Sequence, residues 1–478
     1  MSNMKPVQEV RPIPRNRASE ALFGRRLSRF GQDESGAMSE VAIVSSLLLM
    51  VFAGIGVDLI GNELQRTKLQ NTLDRAVLAA ADLEQTIDPT AVVNDYMDKM
   101  NLNGSLSNVS VSTGLNYKAV QGEATVTSPA NFMKTLGVEQ LQATALSAAE
   151  ERIAKVEISM VLDISGSMDD NNKIGNLRNA ANTFIDTVLD DDTQDLISVS
   201  MVPYSEHVNA GPLLTQHMRV NWKHGYSHCL EFPNSEFDSV ALDLNRTYEQ
   251  MQHFQWNYFG NNDRDDTVCP RYSYERITPF SQDANELKQQ VAQFQPRAGT
   301  SIFLGMKWGT ALLDPSTRTI ANSLQSSGDM DSAFAGRPAN YNDVETLKTI
   351  VLMTDGQHDK SYRIQDWAYN EPSEVAHWDR YNLWYYLARN VSSYNRSYFY
   401  EQKYNAETGD WLLDKICDAA KESGIVIWTI GFEVTDHGAG VMQNCASSPS
   451  HFFRVQGAEI QDAFYSIARA INQLRLTQ

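Results

Sequence analysis

Between Glu40 and Asp58 lie 17 residues without a charge, VAIVSSLLLMVFAGIGV, and no other stretch limits the chain's possible folds so severely. As a helix rising about 1.5 Å per residue the run covers roughly 25 Å, so crossing a hydrocarbon core of about 30 Å draws in its neighbours from Ala37 to Ile60. Ahead of it, residues 1–36 carry seven basic residues (Lys5, Arg11, Arg15, Arg17, Arg25, Arg26, Arg29) against four acidic ones, a surplus of three. The whole chain carries −19, so the rest carries −22. The positive-inside rule then keeps the leader, residues 1–36, in the cytoplasm, lets 37–61 span once, and exports the remainder of the chain. A single-pass inner-membrane protein with a periplasmic or extracellular C-terminal domain is expected. A cleavable signal peptide fits less well, because the apolar run leads into Asn62, Glu63, Arg66 and Lys68 instead of a small-residue cleavage site. The acidic surplus of the exported part excludes nucleic acid as a partner.

After the span, NELQRTKLQNTLDRAVLAAADLE keeps apolar positions at Leu64, Leu69, Leu73, Val77, Leu78 and Leu83, so the helix is expected to continue as an amphipathic stalk. Period-two alternation over Val109–Tyr117 and Ala119–Thr127, with a third candidate at Leu141–Ala148, makes 62–150 a helical stalk and small α+β module. The run DESGAMSEVAIV, the carboxylate Asp58 and LQNTLDRAVLAAADL resemble the N-terminal segment of TadE/TadG-like proteins of the tight-adherence (Flp) pilus machinery. That resemblance covers roughly residues 30–85 and makes Glu40 and Asp58 the candidate membrane or assembly residues. The spacing from Gly36 to Glu40 is one residue shorter than in pilin-like leaders that are cleaved after the glycine.

From Lys155 the chain alternates between apolar runs (VEISMVLD, DLISVSMVPY, LKTIVLMTD, IVIWTIGF) and helical patterns. Continuous apolar strands belong to a sheet covered on both faces, so residues 151–478 are expected to form an α/β domain with a doubly wound, mainly parallel sheet. Insertions at about 206–275 and 357–411 interrupt it. Such sheets place their chemistry at the carboxyl ends of the strands. There stand Asp163-Ile164-Ser165-Gly166-Ser167 after the first run, Asp355 after LKTIVLMT, and Thr300 at the start of a helix. An oxygen-only set of two carboxylates and three hydroxyls suits a hard divalent cation and leaves it electrophilic toward one more oxygen.

Asp163, Ser165, Ser167, Thr300 and Asp355, in the order DxSxS, Thr, Asp, resemble the metal-ion-dependent adhesion site of the von Willebrand factor type A domain. The resemblance implies that Ser165 and Ser167 ligate Mg²⁺ or Mn²⁺ directly. It also implies that Thr300 joins when a ligand is bound, that Asp163 and Asp355 act through water or hydrogen bonds, and that a protein partner offers the last carboxylate. With the leader, the chain resembles TadG-like pilus-assembly proteins, in which a membrane-anchored stalk carries an exported A-type domain. Pilus or secretion-machinery components are then the expected partners.

Four cysteines allow three pairings. In an exported domain the local pairs Cys229–Cys269 and Cys417–Cys445 are expected to be bridged. The histidines of the first insertion (His207, His217, His224, His228, His253) fit no zinc spacing. The aromatic-rich second insertion reads as the core of an extra subdomain whose rim could meet a partner. No GxSxG, HExxH or GxxxxGK[ST] motif occurs, and no general base neighbours Ser165 or Ser167, so an enzyme is not expected. The alternative function is a metal-dependent surface adhesin for host or matrix ligands without a pilus role. A cytoplasmic A-type subunit of an ATPase complex conflicts with the span.

Overall fold

The computed structural model describes residues 35–477 except 83–84, 86, 114–116, 153–154, 191–192, 258–259 and 344. Most of the basic leader lies outside the described residues. The chain separates into two compact units, Met1–Glu151 and Arg152–Gln478.

In the first unit, helix α1 (Ser35–Ala81) runs unbroken for 47 residues. From Met38 onward it is long and apolar enough to cross a membrane, and Leu49, Met50 and Phe52 of its first half are exposed. In its second half Leu69, Leu73, Ala76, Val77 and Ala80 recur at three- and four-residue spacing and are fully buried. They pack with helix α2 (Pro89–Lys99) and a three-stranded sheet of order β1 (Leu106–Thr113), β2 (Tyr117–Pro129), β3 (Gln140–Arg152). The expected strand Val109–Tyr117 is divided, its first five residues in β1 and Tyr117 in β2. Helix α2 adds to the elements expected from the sequence. Asp88 caps it by accepting the Ala91 N–H at 3.0 Å, and Pro89 occupies its first turn.

The second unit is built on a six-stranded mixed sheet. Its strands are β4 (Lys155–Asp163), β5 (Ile197–Tyr204), β9 (Thr278–Ser281), β10 (Thr346–Thr354), β13 (Val426–Phe432) and β14 (Phe452–Val455), in the order β14–β13–β10–β4–β5–β9. The first five in that order pair in parallel. The edge strand β9 runs antiparallel to β5, which departs from a purely parallel sheet. The cause lies in the insertion: Arg276, just before β9, bridges to Asn209, just after β5, and Ile277 N–H donates to Asn209 O at 3.0 Å. The chain therefore re-enters the sheet from the end at which it left. Pro279 sits in β9, where a missing N–H is tolerated at a sheet edge.

One sheet face (Ile158, Met160 and Leu162 of β4, Val351 and Met353 of β10) packs with α3 (Lys173–Val188), α4 (Ala284–Gln293) and α11 (Glu459–Thr477). The other (Val161, Val202, Tyr204, Ile350, Leu352) packs with α5 (Ile302–Ala311), α6 (Arg318–Ser327), α9 (Ala406–Glu422) and α10 (Asp436–Cys445). Helix α5 lies directly on the sheet. A Cβ on Gly305 would stand 2.7 Å from the Tyr204 ring, and one on Gly309 2.6 Å from Val161 Cγ2.

The two insertions share one core. Around the Cys229–Cys269 bridge, Met251, Phe254 and Val268 of the first pack with Ile364, Tyr369, Trp378, Leu383 and Leu387 of the second. The first contributes β6 (Arg219–Asn221), β7 (Leu230–Glu231) and β8 (Thr247–Gln250); the second contributes β11 (Ser361–Ile364), β12 (Tyr400–Tyr404), α7 (Pro372–Arg380) and α8 (Leu383–Asn390). The second bridge, Cys417–Cys445, ties α9 to α10, the helices before and after β13.

Candidate metal-ion site

Parallel register sets the carboxyl ends of β4, β5 and β10 side by side, pairing Asp163 with Tyr204 and Leu162 with Met353. Asp163 is fully buried. Its Oδ1 accepts the Ser165 N–H at 2.8 Å and its Oδ2 the Thr354 hydroxyl at 2.7 Å, while the Tyr204 hydroxyl, which donates to Met353 O at 2.9 Å, lies 3.4 Å from Oδ2. Ser165 Oγ lies 3.2 Å from Ser167 Oγ, whose hydroxyl donates to Asp355 Oδ1 at 2.7 Å. Four of the five predicted residues are thus joined in one hydrogen-bonded cluster, buried at Asp163 and Ser165 and open to solvent at Ser167.

Thr300 arrives on the loop before α5, which backbone bonds tie to the loops after all three strands. Gly166 N–H donates to Ala298 O at 2.9 Å, Ser301 N–H to Ser205 O at 2.9 Å, and Asp359 N–H to Thr300 O at 2.9 Å. A Cβ on Gly166 would stand 3.0 Å from Ala298 O, so this close approach favours glycine. Thr300 is buried. The neighbouring Ser301 Oγ is buried as well and has no hydrogen-bond partner among the described residues.

This donor set fits a small hard cation. Ligands on adjacent corners of an octahedron with bonds of about 2.0–2.1 Å stand roughly 2.9 Å apart, close to the 3.2 Å between the two serine oxygens. Burial, and next the nearby Asp355 charge, push the Asp163 carboxyl up to about 7, a repulsion that a cation would relieve. Among the described residues no group of three or more His, Cys, Asp or Glu could hold a metal, so a cation here would depend on hydroxyls.

Sequence reasoning missed three charged neighbours. Lys173, at the start of α3, places Nζ 2.8 Å from Asp355 Oδ2, with both side chains nearly excluded from solvent. Glu206 follows β5 and is buried. It accepts the Trp256 indole N–H at 2.9 Å and the Ser361 hydroxyl at 2.7 Å, and burial pushes it up to about 7. Glu206 Oε2 and Asp359 Oδ2 each lie 3.4 Å from where a Cβ on Gly299 would stand, so two carboxylates flank the loop that carries Thr300. Lys173 lies ten positions after Asp163, but nothing local couples it to Asp355. Glu206 and Asp359 become neighbours only when the strand ends align. Asp58 and Glu40 lie in the other unit, on α1: Glu40 is exposed, and Asp58 is buried and accepts three backbone N–H groups.

Residues 36–83 match the family model described as "Putative Flp pilus-assembly TadE/G-like". No curated protein matches the chain. Among solved structures, the chain is similar to the vWF domain of the type V pili tip protein Mfa5 from Porphyromonas gingivalis. The identity is 15%, with 68% of this chain and 97% of that one covered and a TM-score of 0.36. It is similar also to the adhesive tip pilin GBS104 from Group B Streptococcus agalactiae, at 14% identity, 66% and 100% coverage and a TM-score of 0.32. For the pilus adhesin SpaC from Lactobacillus rhamnosus GG the values are 14%, 77% and 34%, with a TM-score of 0.31, so the chain spans about a third of that protein's length.

Proposed function

We propose that this chain is a non-catalytic, envelope-anchored adhesion or assembly factor of a tight-adherence pilus or its secretion machinery. A single N-in span in the inner membrane carries the exported second unit, an A-type domain that grips a protein partner through a bound Mg²⁺ or Mn²⁺. The match of residues 36–83 to the TadE/G-like model supports the pilus context. Five parallel strands with helices on both faces support a doubly wound A-type domain.

The observation that carries the proposal is the Ser165–Ser167–Asp355 cluster beside the loop that carries the buried Thr300. Ser165, Ser167 and Thr300 would hold the cation, while Asp163 and Asp355 orient the serines and balance its charge. The bound cation supplies an electrophile for a partner's carboxylate. The Thr354 hydroxyl and the Ser165 N–H hold the Asp163 carboxylate in place by hydrogen bonds. Crosslinking pull-down from the native envelope in Mg²⁺ and in EDTA tests this. Pilus or secretion components should be captured only with Mg²⁺ and be lost with Asp163→Asn. Equal capture in EDTA would refute it.

Exposed aromatics on the second insertion (Trp367, Tyr394, Tyr398) favour the second reading, a surface adhesin for host or matrix ligands. Mg²⁺-dependent binding to immobilised matrix proteins, with no capture of pilus components, would select it.

A further inference from the structure

We propose that the turn between β2 and β3, residues 131–137, is a lipid-binding element seated in the headgroup and upper acyl layer of the bilayer. It rests on the single-span reading above. Asp58 is the first charge after the apolar run, and its buried carboxylate is caged by the turn. Oδ1 accepts Asn131 N–H at 3.2 Å, and Oδ2 accepts Phe132 N–H at 2.7 Å and Met133 N–H at 2.8 Å. One turn of helix earlier, Phe132 lies on the bare backbone of Gly54, where any Cβ would overlap its ring. The turn therefore holds α1 at residues 54–58, and Phe132 shares the membrane depth of Gly54.

That depth is set by helix geometry. A span centred in Ala37–Ile60 reaches the edge of a hydrocarbon core of about 30 Å some ten residues from its midpoint, near Asp58, so Gly54 lies roughly 6 Å inside. Phe132 is nevertheless 47% exposed and Leu136 60% exposed. The only charge in the turn is Lys134, whose stem can lie along apolar surface while its ammonium reaches phosphates. Val57 and Ile60 of α1, at the same level of the helix, are also exposed, and the same bilayer would cover them. The cage also accounts for Asp58. A carboxylate at that depth is costly unless hydrogen-bonded, and three N–H groups otherwise unpaired in lipid meet it there.

All four native cysteines are bridged, so a single introduced cysteine can carry an environment-sensitive fluorophore. The test uses the full chain at one copy per nanodisc, with lipids brominated along the acyl chains from near the carbonyl to near the terminal methyl, labelled at Leu136→Cys, at Leu49→Cys within the span, or at Leu78→Cys. Leu78 is exposed about 30 Å along α1 beyond Asp58. Bromine should quench the label at 136 at least half as strongly as the label at 49, and leave the label at 78 untouched. Quenching at 49 with none at 136 overturns the lipid contact and leaves the span standing, as it would if a second copy covered the turn. No quenching at 49 overturns the span and the inference with it.

Discussion

Replacing Lys173 with methionine keeps the length of the side chain and removes its charge. Lys173 Nζ lies 2.8 Å from Asp355 Oδ2, and the two side chains are 9% and 0% exposed. At an effective dielectric of about 20, opposite unit charges at this distance attract by roughly 6 kcal/mol, much of it offset by desolvation. Deleting one partner of a buried pair leaves the other uncompensated, so Lys173→Met should lose about 3–5 kcal/mol of stability in EDTA. A divalent cation on Ser165, Ser167 and Thr300 would stand beside Asp355 and replace the missing charge. Saturating Mg²⁺ should then stabilise the variant by at least about 2 kcal/mol more than it stabilises the wild type, equivalent to roughly 30-fold tighter binding. Denaturant titrations of the full chain with EDTA and with Mg²⁺ read the first quantity, and calorimetric Mg²⁺ titration the second. Equal Mg²⁺ increments in both proteins would refute the reasoning, because a cation indifferent to Lys173 is not next to Asp355.

Asp163 and Glu206 are both pushed up to about 7 by burial, Asp163 also by Asp355. Folded-state values above the unfolded ones make the metal-free protein hold extra protons between about pH 4 and 7, so stability in EDTA should fall as pH rises through that window, by up to roughly 3–4 kcal/mol for each group. Glu206→Gln should reduce the slope by about one proton; a flat or rising profile in the wild type would contradict this. Gly309→Ala drives a Cβ to 2.6 Å from Val161 Cγ2 and should cost about 1–3 kcal/mol by lifting α5, with weaker Mg²⁺ binding through the displaced Thr300 loop. An unchanged melting temperature would show that the contact relaxes freely. Opening Cys229–Cys269, which closes a separation of 40 residues, should cost about 2–4 kcal/mol and expose the shared core of the two insertions to limited proteolysis. Undiminished protease resistance in Cys229→Ala/Cys269→Ala would contradict it.

Continuous apolar runs marked β4, β5, β10 and β13, because a strand buried on both faces has no polar side to show. The direction of β9 was not legible, since it depends on Arg276 returning beside Asn209. Helix α2 carries its signal openly in Asp88–Pro89, a cap followed by a first-turn proline, but its apolar pattern is too short to stand out. At the site, DxSxS, Thr300 and Asp355 could be nominated from strand context. The Lys173–Asp355 pair, 182 positions apart, could not, and neither could the placement of Glu206 and Asp359 about Gly299. The aromatic density of the second insertion was legible as a core, though not as one shared with the first around Cys229–Cys269. Asp58 was legible as a carboxylate at the end of a span; its cage of N–H groups comes from a turn more than 70 residues away.

Counting Mn²⁺ on the full-length chain in nanodiscs by electron paramagnetic resonance tests the proposed cation site most directly. One stoichiometric ion should bind, be displaced by Mg²⁺, and be lost in Asp163→Asn with the melt in EDTA still cooperative. Stoichiometric binding that survives Asp163→Asn, or no bound ion in the wild type, would contradict a cation held by Ser165, Ser167 and Thr300.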